Sequence, residues 1–109
     1  LVVGTVENSL QSKKSIALWV DADAHLAAPK YDSVIMISVL KGLSEGVQAV
    51  VKEAYDGKFT NTPYVGNLKN KGVGLSPIYG KYKTSIPASL QKEVNELAKD
   101  IANGWVPAK

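Results

Sequence analysis

Asp21 is the residue of this sequence whose type and position best suit ligand chemistry. It ends a continuous apolar run at residues 16–20, which predicts a strand buried on both faces of a parallel sheet. Ligands of open α/β sheets bind beyond the carboxyl ends of the strands. A carboxylate there can accept hydrogen bonds from two vicinal hydroxyls at once. Asp21 is therefore either a ligand contact or a loop aspartate that caps a neighbouring turn.

Lys41 is the second candidate. A β-branched apolar run at residues 33–37 predicts another strand, and Ser38 after it is a good N-cap. Apolar residues at helical spacing then continue to Ala54 and stop at Gly57. Lys41 would occupy the third position of this helix, where a cation meets the positive end of the helix dipole. Either a function retains it there, or it is a solvated lysine over the first turn.

A metal site and a catalytic site both find little support. In an extended chain Asp21, Asp23 and His25 would share one face, as metal ligands do. His25 is the only histidine and cysteine is absent, so nothing completes a metal shell. We expect no metal and no cofactor, and we interpret His25 as a loop histidine. Without a nucleophile elbow or a phosphate-binding loop, the chain is predicted not to be an enzyme.

Composition restricts the class of protein further. A chain of 109 residues suits one domain, and 45% hydrophobic with 21% charged residues argues against disorder. The net charge is +3, but all 13 cations are lysines and most are scattered. Nucleic-acid surfaces usually rely on arginine, so we expect no nucleic-acid partner. The longest apolar runs are too short to span a bilayer.

The remaining elements complete an α/β pattern. Residues 4–14 predict a short amphipathic helix. Residues 64–68 and 73–77 predict two short strands joined by a turn into a hairpin. A last helix is predicted to begin at Pro87 and to end at Gly104. The order helix, strand, strand, helix, hairpin, helix predicts an α/β layer domain.

Three segments, in this order, resemble the basic membrane protein family, which includes purine nucleoside receptors of the bacterial lipoprotein type. They are V-D-A-D at residues 20–23, S-V-L-K-G at 38–42 and G-V-G-L-S-P at 72–77. They resemble the family's V-D-x-D at a strand end, its S-x-x-K at a helix start and its G-V-G-L-x-P. The terminal helix also ends in the family's I-x-x-G at residues 101–104. Order and spacing match over essentially the whole chain.

The resemblance implies a fold and a function. The fold is the C-terminal lobe of a type I periplasmic-binding-protein, a three-layer α/β/α arrangement, with residues 1–109 as a single domain of a longer two-lobed protein. The function is that of the substrate-binding component of an ABC importer, which closes over a nucleoside and meets a transporter permease. A purine nucleoside is the family expectation. The location is the cell surface or periplasm, on a lipid anchor outside this chain. A lobe without its partner also predicts self-association.

The resemblance assigns roles to four residues. Asp21 would hold the ribose hydroxyls, and Lys41 would assist at the sugar. Gly4 corresponds to a glycine that lets the backbone approach the ligand. Asp23 completes the candidate binding set and shapes the loop.

Two positions depart from the family pattern. Trp19 stands where glycine is usual, and Ala24 stands where glutamine is usual. Trp19 is either a core strand residue or a residue that narrows the pocket. These departures favour one alternative, a surface lipoprotein that acts as an adhesin or antigen. A sugar-type binding protein on the same fold is a further alternative.

Overall fold

The structure, a computed structural model, describes residues 2–12 and 15–105 of the chain. Its elements in chain order are α1 (Val2–Ser12), β1 (Ala17–Asp21), α2 (Ala24–Ala27), a 3₁₀ turn (Pro29–Tyr31), β2 (Ile35–Lys41), α3 (Leu43–Tyr55), β3 (Val73–Leu75), α4 (Tyr82–Ser85) and α5 (Ala88–Ala102). They form a small α/β domain with a three-stranded mixed sheet, so the α/β prediction is confirmed. None of the helices in the described ranges is long and apolar enough to cross a membrane.

The sheet places the ends of β1 and β2 side by side. Its strand order is β1-β2-β3, with β1 parallel to β2 and β3 antiparallel to β2. In this register Asp21 lies opposite Leu40, and Lys41 lies opposite Val73. The last residues of the two parallel strands therefore share one edge of the sheet.

The hydrophobic core lies on one face of the sheet, under α1, α2 and the 3₁₀ turn. Its buried members are Val6, Ala17, Ala24, Tyr31, Val34 and Ile35. Trp19 packs against this cluster, with its ring centroid 6.4 Å from that of Tyr31. Trp19 is thus a core strand residue. Ala24 is completely buried, and a glutamine there would have to displace the core.

The prediction that Ser38 caps a helix is wrong, and so is the helical position given to Lys41. Ser38 lies inside β2, and α3 begins only at Leu43 with Gly42 as its N-cap. The β-branched and apolar residues after Ser38 continue the strand. Lys41 is therefore the last residue of β2. The unfavourable contact with a helix dipole, for which Lys41 was selected from the sequence, does not exist.

Ser38 belongs in the strand because its polar groups are satisfied there. Its hydroxyl accepts a hydrogen bond from the Ala24 N–H at 3.1 Å, and its own N–H donates to the Ser76 hydroxyl at 2.9 Å. The Ser76 N–H in turn donates to the Ser38 carbonyl at 2.9 Å. The buried serine joins α2, β2 and the segment after β3.

The predicted hairpin is also wrong. Residues 64–68 form no strand, and β3 pairs with β2 instead. The side chains of Asn67 and Asn70 accept hydrogen bonds from each other's backbone N–H groups, at 3.0 and 2.8 Å. These asparagines satisfy the backbone locally, which competes with strand pairing.

The two terminal helices agree with the sequence. α5 follows Pro87, and it ends where Gly104 adopts a φ of 101° and the Trp105 N–H donates to the Asp100 carbonyl at 2.9 Å. α1 corresponds to the helix predicted at residues 4–14, of which residues 13 and 14 lie outside the described ranges.

Candidate functional site

Asp21 and Lys41 meet at the carboxyl edge of the two parallel strands. The Lys41 Nζ atom lies 2.7 Å from the Asp21 Oδ1 atom. Each residue ends its strand, and the parallel register places the two ends next to each other. The structure thus joins two residues that the sequence indicated for different reasons.

The backbone of Asp21 is held in a rare conformation. Its φ of 76° lies in the left-handed region, and the Ala22 N–H donates to the Val20 carbonyl at 3.1 Å. A hydrogen bond from residue i+2 to residue i around a positive φ is the pattern of a classic γ-turn, which is uncommon and strained. Such strain costs on the order of 1 kcal/mol or more and is concentrated at functional sites.

The ion pair is open to solvent. The side chains of Lys41 and Asp21 are 63% and 57% exposed. A pair this exposed contributes about 0–1 kcal/mol to stability, so its contribution to the fold does not account for these two residues. Within the described part of the chain, the Asp21 Oδ2 atom has no hydrogen-bond partner. The carboxylate therefore keeps acceptor capacity for a ligand.

A cavity of about 830 Å³ opens over this pair. Its lining includes Asp21 and Lys41, the first-turn residues Leu43 and Glu45 of α3, and Lys71 from the loop before β3. This volume lies within the range of small-molecule sites, about 300–1,000 Å³. It offers one carboxylate and one ammonium at the sheet edge, with apolar and charged groups around them.

The start of α3 adds backbone donors to the same cavity. Gly42, the N-cap, has no side chain to accept from the first-turn N–H groups. Gly42 itself is tied to the loop before β3, because its N–H donates to the Gly72 carbonyl at 3.0 Å. Leu43, Ser44 and Glu45 line the cavity, and the N-cap gives their N–H groups no side-chain acceptor. They can donate to the oxygen atoms of a polar ligand.

Asp23 shapes the loop beside the site. Its Oδ1 atom accepts from the His25 N–H at 3.1 Å, which caps α2, and its Oδ2 atom accepts from the Tyr79 hydroxyl at 2.7 Å. This hydrogen bond to the Asp23 carboxylate raises the pKa of Tyr79 above its ordinary value. With both oxygens engaged, Asp23 is less available to a ligand than Asp21.

His25 differs from its interpretation as a loop histidine. It lies in the single turn of α2, stacks on Tyr79 with ring centroids 4.2 Å apart, and places its Nδ1 atom 2.8 Å from Asp32 Oδ2. Because α2 begins at Ala24, the segment is not extended, and Asp21, Asp23 and His25 do not share one face. In the described ranges no group of three or more His, Cys, Asp or Glu could hold a metal ion.

Gly4 is not brought to this site. It lies in α1, which packs against β1 and the 3₁₀ turn, and it does not line the cavity. A Cβ at Gly4 would meet nothing within 4 Å. The role that the resemblance gives to Gly4 gains no support from this placement and stays a prediction.

The cavity also contains residues that the sequence did not indicate. Glu45 and Lys71 line it, and Tyr79 fixes the adjacent loop through Asp23. Lys71 has a φ of 60°. The turn signal at residues 70–72 marked the position of Lys71 in the sequence. It predicted the turn of a hairpin, and so it did not indicate that Lys71 reaches the cavity.

The site combines a carboxylate with a free oxygen, an ammonium and the N–H groups of a helix start around one cavity. This donor and acceptor set suits a small polar ligand with adjacent hydroxyl groups. No protein-family model matches the chain, and no curated protein is similar to it.

Proposed function

We propose that this chain is the ligand-binding C-terminal lobe of a nucleoside receptor of the basic membrane protein type. The observation that supports it most is the 2.7 Å contact between Asp21 and Lys41 at the carboxyl ends of adjacent parallel strands. The same two residues carry the sugar-binding roles in the resemblance. Asp21 accepts from the two ribose hydroxyls, and Lys41 donates to a sugar oxygen.

The charge of the site favours a neutral ligand. Asp21 and Lys41 offset each other, so the pair presents no net charge to the cavity. Vicinal hydroxyls can approach the Asp21 carboxylate through its unpartnered oxygen, while Lys41 retains donors besides the one directed at Oδ1. The acidic residues Asp21, Asp23 and Glu45 line the cavity together with the cations Lys41 and Lys71, so it offers a phosphate no net positive charge. We therefore expect a nucleoside to bind in preference to a nucleotide.

The apolar part of the cavity is suited to the base. Leu26, Leu40, Leu43 and Leu68 line it beside the charged pair. The second lobe of the receptor would supply the aromatic residues that stack on a base. The lobe described here therefore recognises the sugar, and the second lobe supplies most of the contacts that distinguish one base from another.

The wider function follows from the same proposal. In this proposal the chain is one lobe of a type I binding protein, and the receptor delivers its nucleoside to an ABC transporter permease. The three-layer α/β/α arrangement of such a lobe requires a cover on the second face of the sheet, which the described residues leave exposed. The receptor catalyses no reaction and needs no cofactor. It stands at the cell surface or in the periplasm, on a lipid anchor that is not part of these residues.

Calorimetric titration of a purine nucleoside into the chain and its variants tests this proposal. One lobe alone should bind with a Kd of about 1 mM, because it supplies only half of the contacts. Asp21→Ala removes the hydroxyl acceptor and should weaken binding by about tenfold or more.

The matched control is Asp56→Ala. Asp56 also pairs with a lysine, at 2.6 Å from Lys52, but it follows α3 and does not line the cavity. This variant should bind as the wild type does. An unchanged affinity in Asp21→Ala would remove the role given to Asp21.

A further inference from the structure

One face of the sheet is open. The side chains of Leu18, Val20, Val39 and Leu75 are 43–58% exposed. Val20, Val39 and Leu75 lie side by side in the register of the three strands. Parallel strands normally have both faces covered, usually by helices. Here the core covers only the opposite face.

Two helices of the same chain, α3 and α5, have apolar residues that the sheet does not cover. Neither α3 nor α5 has a buried residue, and within the described ranges neither packs extensively against the sheet. The apolar stripe of α3 beyond the nucleoside cavity, formed by Val47 and Val51, is 60–63% exposed. An amphipathic helix usually turns such a stripe toward a core.

The exposed area exceeds what a compact monomer presents. The chain exposes 8403 Å², whereas a monomer of 11.6 kDa is expected to expose about 5,800 Å². The excess of about 2,600 Å² is well above the roughly 800 Å² that each partner buries in a stable interface. The radius of gyration of 17.1 Å likewise exceeds the expected value of about 13 Å.

We propose that a second copy of this chain covers the open face of the sheet with the apolar stripe of its α3. Each copy holds a sheet face that its own helices leave exposed and an apolar helix stripe that its own sheet does not bury. In a two-fold dimer the α3 stripe of each copy therefore covers the open sheet face of the other.

The dimensions of the two surfaces agree. The 13 residues of α3 extend about 20 Å at 1.5 Å per residue. The seven residues of β2 extend about 23 Å at 3.3 Å per residue. The stripe and the open face are both aliphatic, so their contact removes apolar area from water on each side. The pairing does not depend on the nucleoside proposal.

Sedimentation equilibrium of the full chain over a concentration series tests the pairing. The wild type should approach a mass twice 11.6 kDa as concentration rises. Val39→Lys places a charge on the open face, and Val47→Lys places one on the α3 stripe. Each should raise the dimer Kd by about tenfold or more.

The matched control is Leu26→Lys, which introduces the same charge at another exposed apolar residue. Leu26 is 78% exposed and lies in α2, on the covered side of the sheet. This variant should dimerise as the wild type does. Circular dichroism of each variant shows whether it is folded before its mass is compared.

Hydrogen exchange of the wild type keeps the test independent of the variants. Residues 37–40 and 43–51 should gain protection as concentration rises. A wild type that stays monomeric at every concentration would overturn the proposal and leave the open face to another domain or a lipid surface. A dimer that neither Val39→Lys nor Val47→Lys weakens would overturn it as well.

Discussion

At the scale of single residues, the charges of Asp21 and Lys41 are accessible to a ligand, and breaking their contact costs little free energy. Because both side chains are more than half exposed, water already solvates them, and their mutual attraction is small. Ligand hydroxyls can therefore replace part of that contact without a large penalty. The strained backbone of Asp21, with its φ of 76°, fixes the carboxylate at the strand end.

Glu7 provides a prediction for the pH dependence of stability. Its carboxylate accepts from the Tyr31 hydroxyl at 2.6 Å and from Lys30 Nζ at 3.4 Å. These hydrogen bonds, that of Tyr31 first, lower the pKa of Glu7 below its ordinary value of 4.5. A lowered pKa means that the stabilisation is present above the unfolded-state pKa and is lost as pH falls through the folded-state pKa.

Glu7→Gln removes that titration. We expect the wild type to be more stable than this variant at about pH 7, and the difference to narrow as pH falls from about 5 to about 3. Urea denaturation of both proteins across this pH series measures the difference in free energy of unfolding. A difference that stays constant with pH would contradict the assignment.

At the scale of elements, Ser38 holds α2 on β2 through its buried hydroxyl, while its backbone joins β2 to the segment after β3. Ser38→Ala leaves the buried N–H of Ala24 without its acceptor. The free energy of unfolding should fall by about 1–3 kcal/mol, because an unpaired buried donor keeps its full desolvation cost. Ser89→Ala, an exposed serine in α5, is the control and should change it by less than about 0.5 kcal/mol. Equal values in denaturant titrations would show that the Ser38 hydroxyl does not hold α2 on β2.

The connection between β2 and α3 requires glycine at position 42. A Cβ on Gly42 would overlap the Lys71 carbonyl, and it would lie 2.9 Å from Glu45 Oε2. Gly42→Ala should therefore separate the loop before β3 from the start of α3, lower stability by about 1–3 kcal/mol and weaken nucleoside binding.

Gly74→Ala is the matched control for this change. A Cβ at Gly74 meets nothing within 4 Å, so stability should stay close to that of the wild type. Thermal unfolding of both variants makes the comparison. If Gly42→Ala is as stable as Gly74→Ala, the loop is not held against α3 as described.

Local sequence patterns predicted those elements whose residues suit only one kind of secondary structure. The apolar run at residues 16–20 indicated β1, but its predicted burial on both faces is wrong, because Leu18 and Val20 are exposed. Pro87 and Gly104 bounded α5 closely. Ser38 misled the prediction because a serine suits both a helix cap and a buried strand position with partners. Those partners, Ala24 and Ser76, are distant in sequence, so no local pattern shows them.

The candidate site was predictable only in part, for the same reason. Asp21 follows from its place at a strand end. Lys41 was selected for a helical position that it does not occupy, although the motif resemblance indicated it independently. Glu45, Lys71 and Tyr79 come to the site through the folding of α3 and of the loops around β3, which sequence spacing does not reveal.

At the scale of the whole molecule, the binding edge and the open sheet face belong to the same three strands. The carboxyl ends of β1 and β2 hold the polar pair, while the middle of the sheet exposes aliphatic side chains. A partner that covers the open face would stiffen the strands that position Asp21 and Lys41. Ligand affinity and self-association should therefore be measured on the same samples.

The most direct test of the central claim is a pair of NMR titrations that follow the backbone amides of the chain. One ligand is a purine ribonucleoside, and the other is its 2′,3′-dideoxy counterpart, which lacks the two vicinal ribose hydroxyls. We predict that the ribonucleoside shifts the amides of residues 21–23 and 41–45, and that the dideoxynucleoside binds about tenfold more weakly or worse. Equal affinity for the two ligands, or shifts confined to other residues, would contradict a sugar site at Asp21 and Lys41.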